Sequence, residues 1–405
     1  MSNHKQAYEV LAAQLTDRGL DVNAIKAQLK AQHIETPSWG YGNSGTRFNV
    51  FRQPGAATNI REKLQDAAMV HRMTGVCPTV AVHVAWDFEG DNGAEVAAYA
   101  ESLGVKIGAI NPTMFQEDCY LNGTIFNPDP RARKLVTDHM LQSIAIAKQT
   151  GSQILSLWFA DGTNYPGQGD FLVRKHYALE CLAEVYAAMP AGMRMLLEYK
   201  LFEPGFYHTD LADWGMAYVF CEKLGPQAEV LIDLGHHARG VNIEHIVAFL
   251  LDEGRMGGFH FNDARYADDD LTTGSVNPYQ VFLIYCELVK HADLARHLAY
   301  MIDQSHGEKL KLEAMIQSVD SIQTAYAKAL CVDYAALARA QAEANIVDAE
   351  NCLVRAFNTD VAPLLAQVRE EMGLDPNPLA AYRASGYQQR IEAERGQRTG
   401  GGGLG

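Results

Sequence analysis

The sequence predicts an α/β protein: a closed (β/α)8 TIM barrel with N-terminal helices and a C-terminal helical extension. Three observations lead there. Short apolar runs alternate with stretches of helical spacing, the pattern of βαβ units around a parallel sheet. There are eight such runs over roughly 270 residues, which suits a sheet closed on itself better than an open doubly wound one. Acids and imidazoles fall on or just after the ends of the later runs, the face on which barrel active sites are built.

The elements follow in order. Tyr8, Leu11, Leu15, Ile25 and Leu29 recur at helical spacing with a break at Gly19, so residues 1–33 form a segment of two short helices. The barrel occupies 34–310. Its first strand lies at 34–39 and runs into a loop rich in Gly, Ser and aromatic residues. The others are VAVHVAW (80–86), VKIGAI (105–110), QILSLWFA (153–160), MRMLLEY (193–199), EVLIDL (229–234), GGFHF (257–261) and HLAYMID (297–303). Helices are expected at 131–150, 171–189, 209–225, 242–253 and 276–291. Past Ser305 the β pattern stops. Residues 312–372 read as helical, and the extension 311–405 ends in a Gly-rich tail that does not order itself.

Composition narrows the function. Of the 405 residues, 34 are Lys or Arg and 49 Asp or Glu, a net charge of −15. That balance argues against nucleic acid or an anionic membrane as the main partner and suits a protein that collects cations. The seven cysteines are scattered and never form C-x-x-C, which reads as free thiols in a reducing compartment. With no secretory h-region and no apolar run of about 18 residues, a cytoplasmic protein is expected. Gly40, Gly42 and Gly45 match G-x-G-x-x-G. The dinucleotide reading needs a helix to open there, and Thr46-Arg-Phe-Asn-Val-Phe-Arg-Gln-Pro54 does not favour one.

The chemistry concentrates at the strand ends. Glu198 ends MRMLLE; Asp233 ends EVLID, with His236 three residues on; His260 lies in GGFHFND, followed by Asp268, Asp269 and Asp270; Asp303 ends AYMID. Strand alternation puts Glu198 and Lys200 on one face, and likewise His260 with Asn262 and Met301 with Asp303. Taken singly each residue has an ordinary reading: an ion pair of Glu198 with Lys200, a solvated acidic loop, a core histidine. Together they converge on one barrel mouth. Buried carboxylates without a counter-charge are expensive, so the set calls for a cation, and oxygen ligands with a minority of imidazole suit Mn2+, Mg2+ or Co2+.

On these residues the chain resembles the L-rhamnose isomerases, in particular the broad-specificity bacterial type, within the xylose-isomerase-like barrels. The resemblance covers nearly the whole chain and is carried by PSWGYGNSGTRF (37–48), HVAWD (83–87), LWFADGTNYPGQ (157–168), EYKLFEPGFY (198–207), DLGHHA (233–238), GGFHFNDARYADDD (257–270), MIDQSH (301–306) and YRASGY (382–387). It implies two divalent ions, Mn2+ before Co2+ or Mg2+. Glu198, Asp233, His260 and Asp303 would hold one, and Asp233 would bridge to a second completed by His236, Asp268 and Asp270. Asp269 receives no role.

The activity implied is aldose–ketose isomerisation of L-rhamnose and L-rhamnulose by a metal-assisted hydride shift between C1 and C2. A base-mediated enediol route is the rival. Lys200, Asp303 and His83 are the catalytic candidates, Lys200 donating to O1 and His83 assisting ring opening. Pairing of His83 with Asp87, four residues on, is in doubt because that spacing departs from the xylose-isomerase pattern by one. Trp86 and Trp158 would wall the sugar, His236 and Lys200 would contact it, and Phe48 would reach a neighbour's site in a homotetramer. The alternatives are an isomerase of D-allose and D-allulose, or another sugar isomerase or epimerase of the group. A DNA-acting barrel of the endonuclease IV kind is opposed by the net charge of −15. A non-catalytic sugar-binding protein would lack some of the ligands.

Overall fold

Strands of a parallel barrel are buried on both faces, so their residues are apolar almost throughout and the polar exceptions carry information. The computed structural model describes residues 3–44, 50–203 and 207–396. Eight strands close into a barrel: β1 Glu35–Pro37, β2 Thr79–His83, β3 Lys106–Asn111, β4 Ile154–Leu157, β5 Arg194–Glu198, β6 Ala228–Asp233, β7 Met256–Phe261 and β8 Ala299–Ile302. Each pairs in parallel with its neighbours in chain order, and β8 returns to β1. All eight strands coincide with the runs read from the sequence. The interior floor is a small apolar layer of Ala81, Ala109, Leu196, Leu231, Ala299 and Met301.

The helices start where local chemistry allows. Asp129 accepts from the Arg131 amide ahead of Pro130–Thr150, and Asn277 from the Gln280 amide ahead of Pro278–Lys290; each helix opens on a proline whose missing N–H costs nothing there. Ile60–Thr74 and Gly93–Ser102 were not among the expected helices. The expected helix 209–225 begins only at Trp214. Asp213 caps it, and Tyr207–Thr209 joins Gly162–Thr163 and Phe202–Glu203 in a small antiparallel sheet. Gly40 and Gly42 lie on and just after a 3-10 turn, Ser38–Tyr41, with no α-helix opening there; Gly45 falls outside the described residues.

Five helices from Tyr334 to Arg395 follow the last barrel helix, Lys311–Leu330. They fold back on the start of the chain. Glu371 accepts from Lys26 and Lys30 at 2.7 and 2.6 Å, and the buried Arg395 meets Asp66 on the helix after β1 at 2.7 Å. The Gly-rich tail lies outside the described residues. No helix among the described residues is long and apolar enough to cross a membrane.

Two departures from regular structure set the mouth and the floor. The expected strand 80–86 stops at His83, because Val84–Asp87 curls into a helical turn. Asp87 closes that turn: its Oδ2 accepts the His83 amide at 2.9 Å and the Ser38 hydroxyl at 2.5 Å, while Oδ1 meets Lys63 at 2.6 Å, all within a buried pair. At the floor the β2–β3 register shifts between Val80 and Val82, which frees the Ala109 amide to donate to Glu35 Oε1 at 2.9 Å. Burial holds the Glu35 carboxyl above its ordinary range. A Cβ at Gly108 would lie 1.5 Å from Glu35 Oε2, so only glycine admits this side chain.

Gly108→Ala should therefore destabilise the protein by about 1–3 kcal/mol, the range for overpacking, read as a lowered denaturation midpoint. Lys63→Met, which strands the Asp87 charge, should cost about 3–5 kcal/mol. A change under half a kilocalorie would mean that neither contact matters.

Candidate metal and sugar site

The last four strands deliver the ligand-type residues. Glu198 and Asp233 end β5 and β6, and His260 sits near the end of β7 in register with both Asp233 and Met301. Asp303, two residues beyond Met301, projects the same way. Glu198, Asp233, His260 and Asp303 each offer a ligand atom within 4.8 Å of the others; so do Asp233, His236 and Asp268. Asp233 belongs to both groups. Asp270 lines the same cavity but stands outside the second group, on a left-handed backbone with φ 47° that is unusual for an aspartate.

The donors fit a cation better than they fit one another. His260 is buried, yet neither of its ring nitrogens has a hydrogen-bond partner. Its Nδ1 lies 3.1 Å from Glu198 Oε2 and 3.5 Å from Asp303 Oδ2. A buried polar atom left this way costs stability, and a shared divalent ion would satisfy all three groups. His236 donates from Nδ1 to the Tyr199 carbonyl at 3.0 Å, which leaves Nε2 3.0 Å from Asp268 Oδ1 and 3.9 Å from Asp233 Oδ1.

Electrostatics say the same. Burial opposes charging the imidazoles, but the surrounding carboxylates outweigh it and raise His236 to about 10 and His260 to about 9. Burial, with neighbouring acids adding to it, pushes Asp233 to about 7 and holds Asp270 and Asp303 above the usual carboxylate range. Protons on these groups do what a metal ion would otherwise do.

Facing this cluster is a cavity of about 230 Å3. Drug-sized sites run to roughly 300–1,000 Å3, so the space suits a ligand on the scale of one sugar. A larger cavity, of about 610 Å3, opens at the opposite end of the barrel between His33, Arg194 and Tyr300, away from both donor groups.

Lys200 lies buried at the cavity edge. Burial works against its charge, but Asp268 and Glu203 restore it and raise the ammonium above its ordinary range. Its partners are therefore Asp268 and Glu203, the latter at 2.6 Å, rather than Glu198, and it lies 5.0 Å above the Trp158 ring.

The opposite wall is aromatic. Trp39, His83, Trp86, Phe115 and Trp158 follow one another with ring centroids 4.8, 4.2, 5.8 and 5.4 Å apart. Burial and the nearby Lys63 charge hold His83 well below its ordinary pKa, hence neutral. The doubtful pairing of its ring with Asp87 is not made. Asp87 takes the backbone amide of His83, whose ring faces Thr113 Oγ1 at 3.3 Å. Phe48 lies outside the described residues.

Some participants were not singled out in the sequence. Trp39 donates from Nε1 to Asp303 Oδ1 at 2.7 Å, and its place two residues past the end of β1 was a readable signal. Phe115 sits on an irregular segment and Glu203 on a two-residue strand, where no periodicity marks them. Asp269 proves to be a loop clamp, accepting the amides of Arg265, Tyr266 and Ala267.

Comparison with known proteins agrees with this geometry. A probable sugar isomerase of Rhizobium meliloti is 43% identical over 98% of this chain and 94% of its own length. Another, of Mesorhizobium japonicum, is 40% identical over the same shares. The xylose isomerase of Thermus thermophilus is 24% identical over 45% of this chain and 50% of its own. Among solved structures, an L-ribulose 3-epimerase overlays with TM-score 0.53 at 14% identity, covering 78% of this chain and 98% of its own, a likeness of fold alone. Residues 73–345 match the xylose isomerase-like TIM barrels, and the chain belongs to that family.

Proposed function

We propose that this protein is a metal-dependent aldose–ketose isomerase that interconverts L-rhamnose and L-rhamnulose, with D-allose and D-allulose as the next sugars to test. The observation that carries the reading is two donor groups sharing Asp233, with the Lys200 ammonium beside them and a neutral histidine in an aromatic wall opposite. The naming of both full-length relatives as probable sugar isomerases supports it.

Isomerisation moves hydrogen from C2 to C1 with its bonding electrons, while the C2 hydroxyl proton ends on O1. Glu198, Asp233, His260 and Asp303 would hold one divalent ion; Asp233, His236, Asp268 and Asp270 would hold the second; Mn2+ is the first choice, with Co2+ or Mg2+ next. Such ions would polarise the sugar oxygens and ease loss of the hydroxyl proton. Lys200 donates to O1 as negative charge gathers there. His83, neutral, hydrogen-bonds the ring oxygen or hydroxyl of the incoming sugar. Trp86 and Trp158 cover the C–H faces and exclude water from the transferring hydrogen. His236, with its N–H fixed on Tyr199 and its other nitrogen 3.0 Å from Asp268 Oδ1, would contact the sugar from the donor side. A homotetramer accords with the exposed Leu121, Tyr165, Phe171, Leu172 and Tyr266.

A panel of aldoses and ketoses assayed by chromatography with Mn2+ tests the reading, L-rhamnose giving the highest kcat/KM. Exhaustive chelation should abolish turnover, and Mn2+ or Co2+ should restore it; full turnover with elemental analysis showing no metal would overturn the reading. Lys200→Met should lower kcat and kcat/KM together by about 100- to 1,000-fold. Recovery of kcat at saturating Mn2+ would instead assign Lys200 to balancing Asp268.

A further inference from the structure

Ser156 lies on β4, only 2% exposed, and lines the cavity that faces the donor cluster. Strand pairing sets its level. Ser156 pairs with Leu196 of the apolar floor, and Leu155 before it pairs with Ile110, which brings Asn111 alongside. Asn111 in turn pairs with His83. The three form a polar row across β2, β3 and β4, one step beneath Trp158 and Glu198 on the same inward face. Two of them have protein partners: Asn111 donates from Nδ2 to the Val82 carbonyl at 3.1 Å, and the His83 ring faces Thr113 Oγ1. The Ser156 hydroxyl is buried without a hydrogen-bond partner among the described residues. A hydroxyl left in this state costs stability that an alanine, matching Ala81 and Ala109 of the floor, would not. Being neutral, and able both to donate and to accept, it complements another hydroxyl better than it complements an ion.

We propose that Ser156 is a specificity-determining residue that exchanges a hydrogen bond with one hydroxyl of the sugar at the floor of the cavity. The inference rests on the isomerase reading above. It goes further in assigning part of the choice among sugars to β4, on the side of the barrel that carries no metal-ligand candidates. O1 and O2 are the reacting oxygens, so the hydroxyl that Ser156 reads belongs to C3, C4 or C5. A sugar without that hydroxyl, or with it turned the other way, leaves Ser156 unpaired and binds less well.

The test compares the full-length wild type with Ser156→Ala, both loaded with Mn2+. The substrates are L-rhamnose, or whichever sugar of the panel gives the highest kcat/KM, and its analogues lacking the hydroxyl at C3, C4 or C5. On the parent sugar Ser156→Ala should lower kcat/KM about 3–10-fold, mainly by raising KM. One analogue should react with wild type and variant at equal kcat/KM, because the hydroxyl that Ser156 reads is already gone. An unchanged kcat/KM on the parent sugar, or the same loss on every analogue, would overturn the proposal. Thermal melting separates binding from a structural role. The variant should melt at or above the wild-type temperature, since it removes an unpartnered hydroxyl, and a melting temperature clearly below wild type would also overturn the proposal. Failure of the underlying reading looks different: the wild type itself would turn over no sugar of the panel, and the proposal would fall with it.

Discussion

The structure depends on a problem of charge. Glu198, Asp233, Asp268, Asp270 and Asp303 meet at one mouth of the barrel, most of them shielded from water. Carboxylates this close cannot all ionise without positive charge among them. His236, His260 and Lys200 supply part of it, and they are the groups whose charged forms the surroundings favour. A divalent ion held by these groups would take the place of the protons on the imidazoles.

Much of this was legible in the sequence because barrel strands are short, buried and regular. Glu198, Asp233, His260 and Asp303 stand out as polar residues at the ends of apolar runs, and the alternation that marks them also aims them inward. What stayed illegible depends on irregular backbone. Asp87 sits in a helical turn that cuts β2 short, and its hydrogen bond goes to an amide, a choice no side-chain spacing reveals. Glu203 comes from a small sheet whose strands are two or three residues long, too short for any period. The buried faces of Ile60–Thr74 and Gly93–Ser102 carry alanines and glycine, and in the first also Lys63 and Asp66, so neither shows a long apolar stripe.

The supporting contacts form a second rank of structure. Tyr199 lends a carbonyl to His236, Trp39 an indole N–H to Asp303, and Gly235 and Asn262 hold Asp233. Tyr199 and Trp39 each fix one polar atom of a ligand-type residue, and Gly235 and Asn262 together engage both oxygens of Asp233. Preorganisation of this kind is what lets a site form before its ion arrives.

Because the strands follow one another around the barrel in chain order, the two walls of the cavity come from different halves of the sequence. The rings Trp39, His83, Trp86, Phe115 and Trp158 all come from the first four strands and their loops, and the donor groups from the last four. The halves meet along the pairing of β4 with β5, at the closure of β8 on β1, where Trp39 reaches Asp303, and where the C-terminal helices fold back on the start of the chain. A gene could exchange its leading half for that of a relative and change the aromatic wall without separating any donor from its group. Such a fold lets one wall of the cavity drift while the cluster of acids and imidazoles facing it is inherited intact.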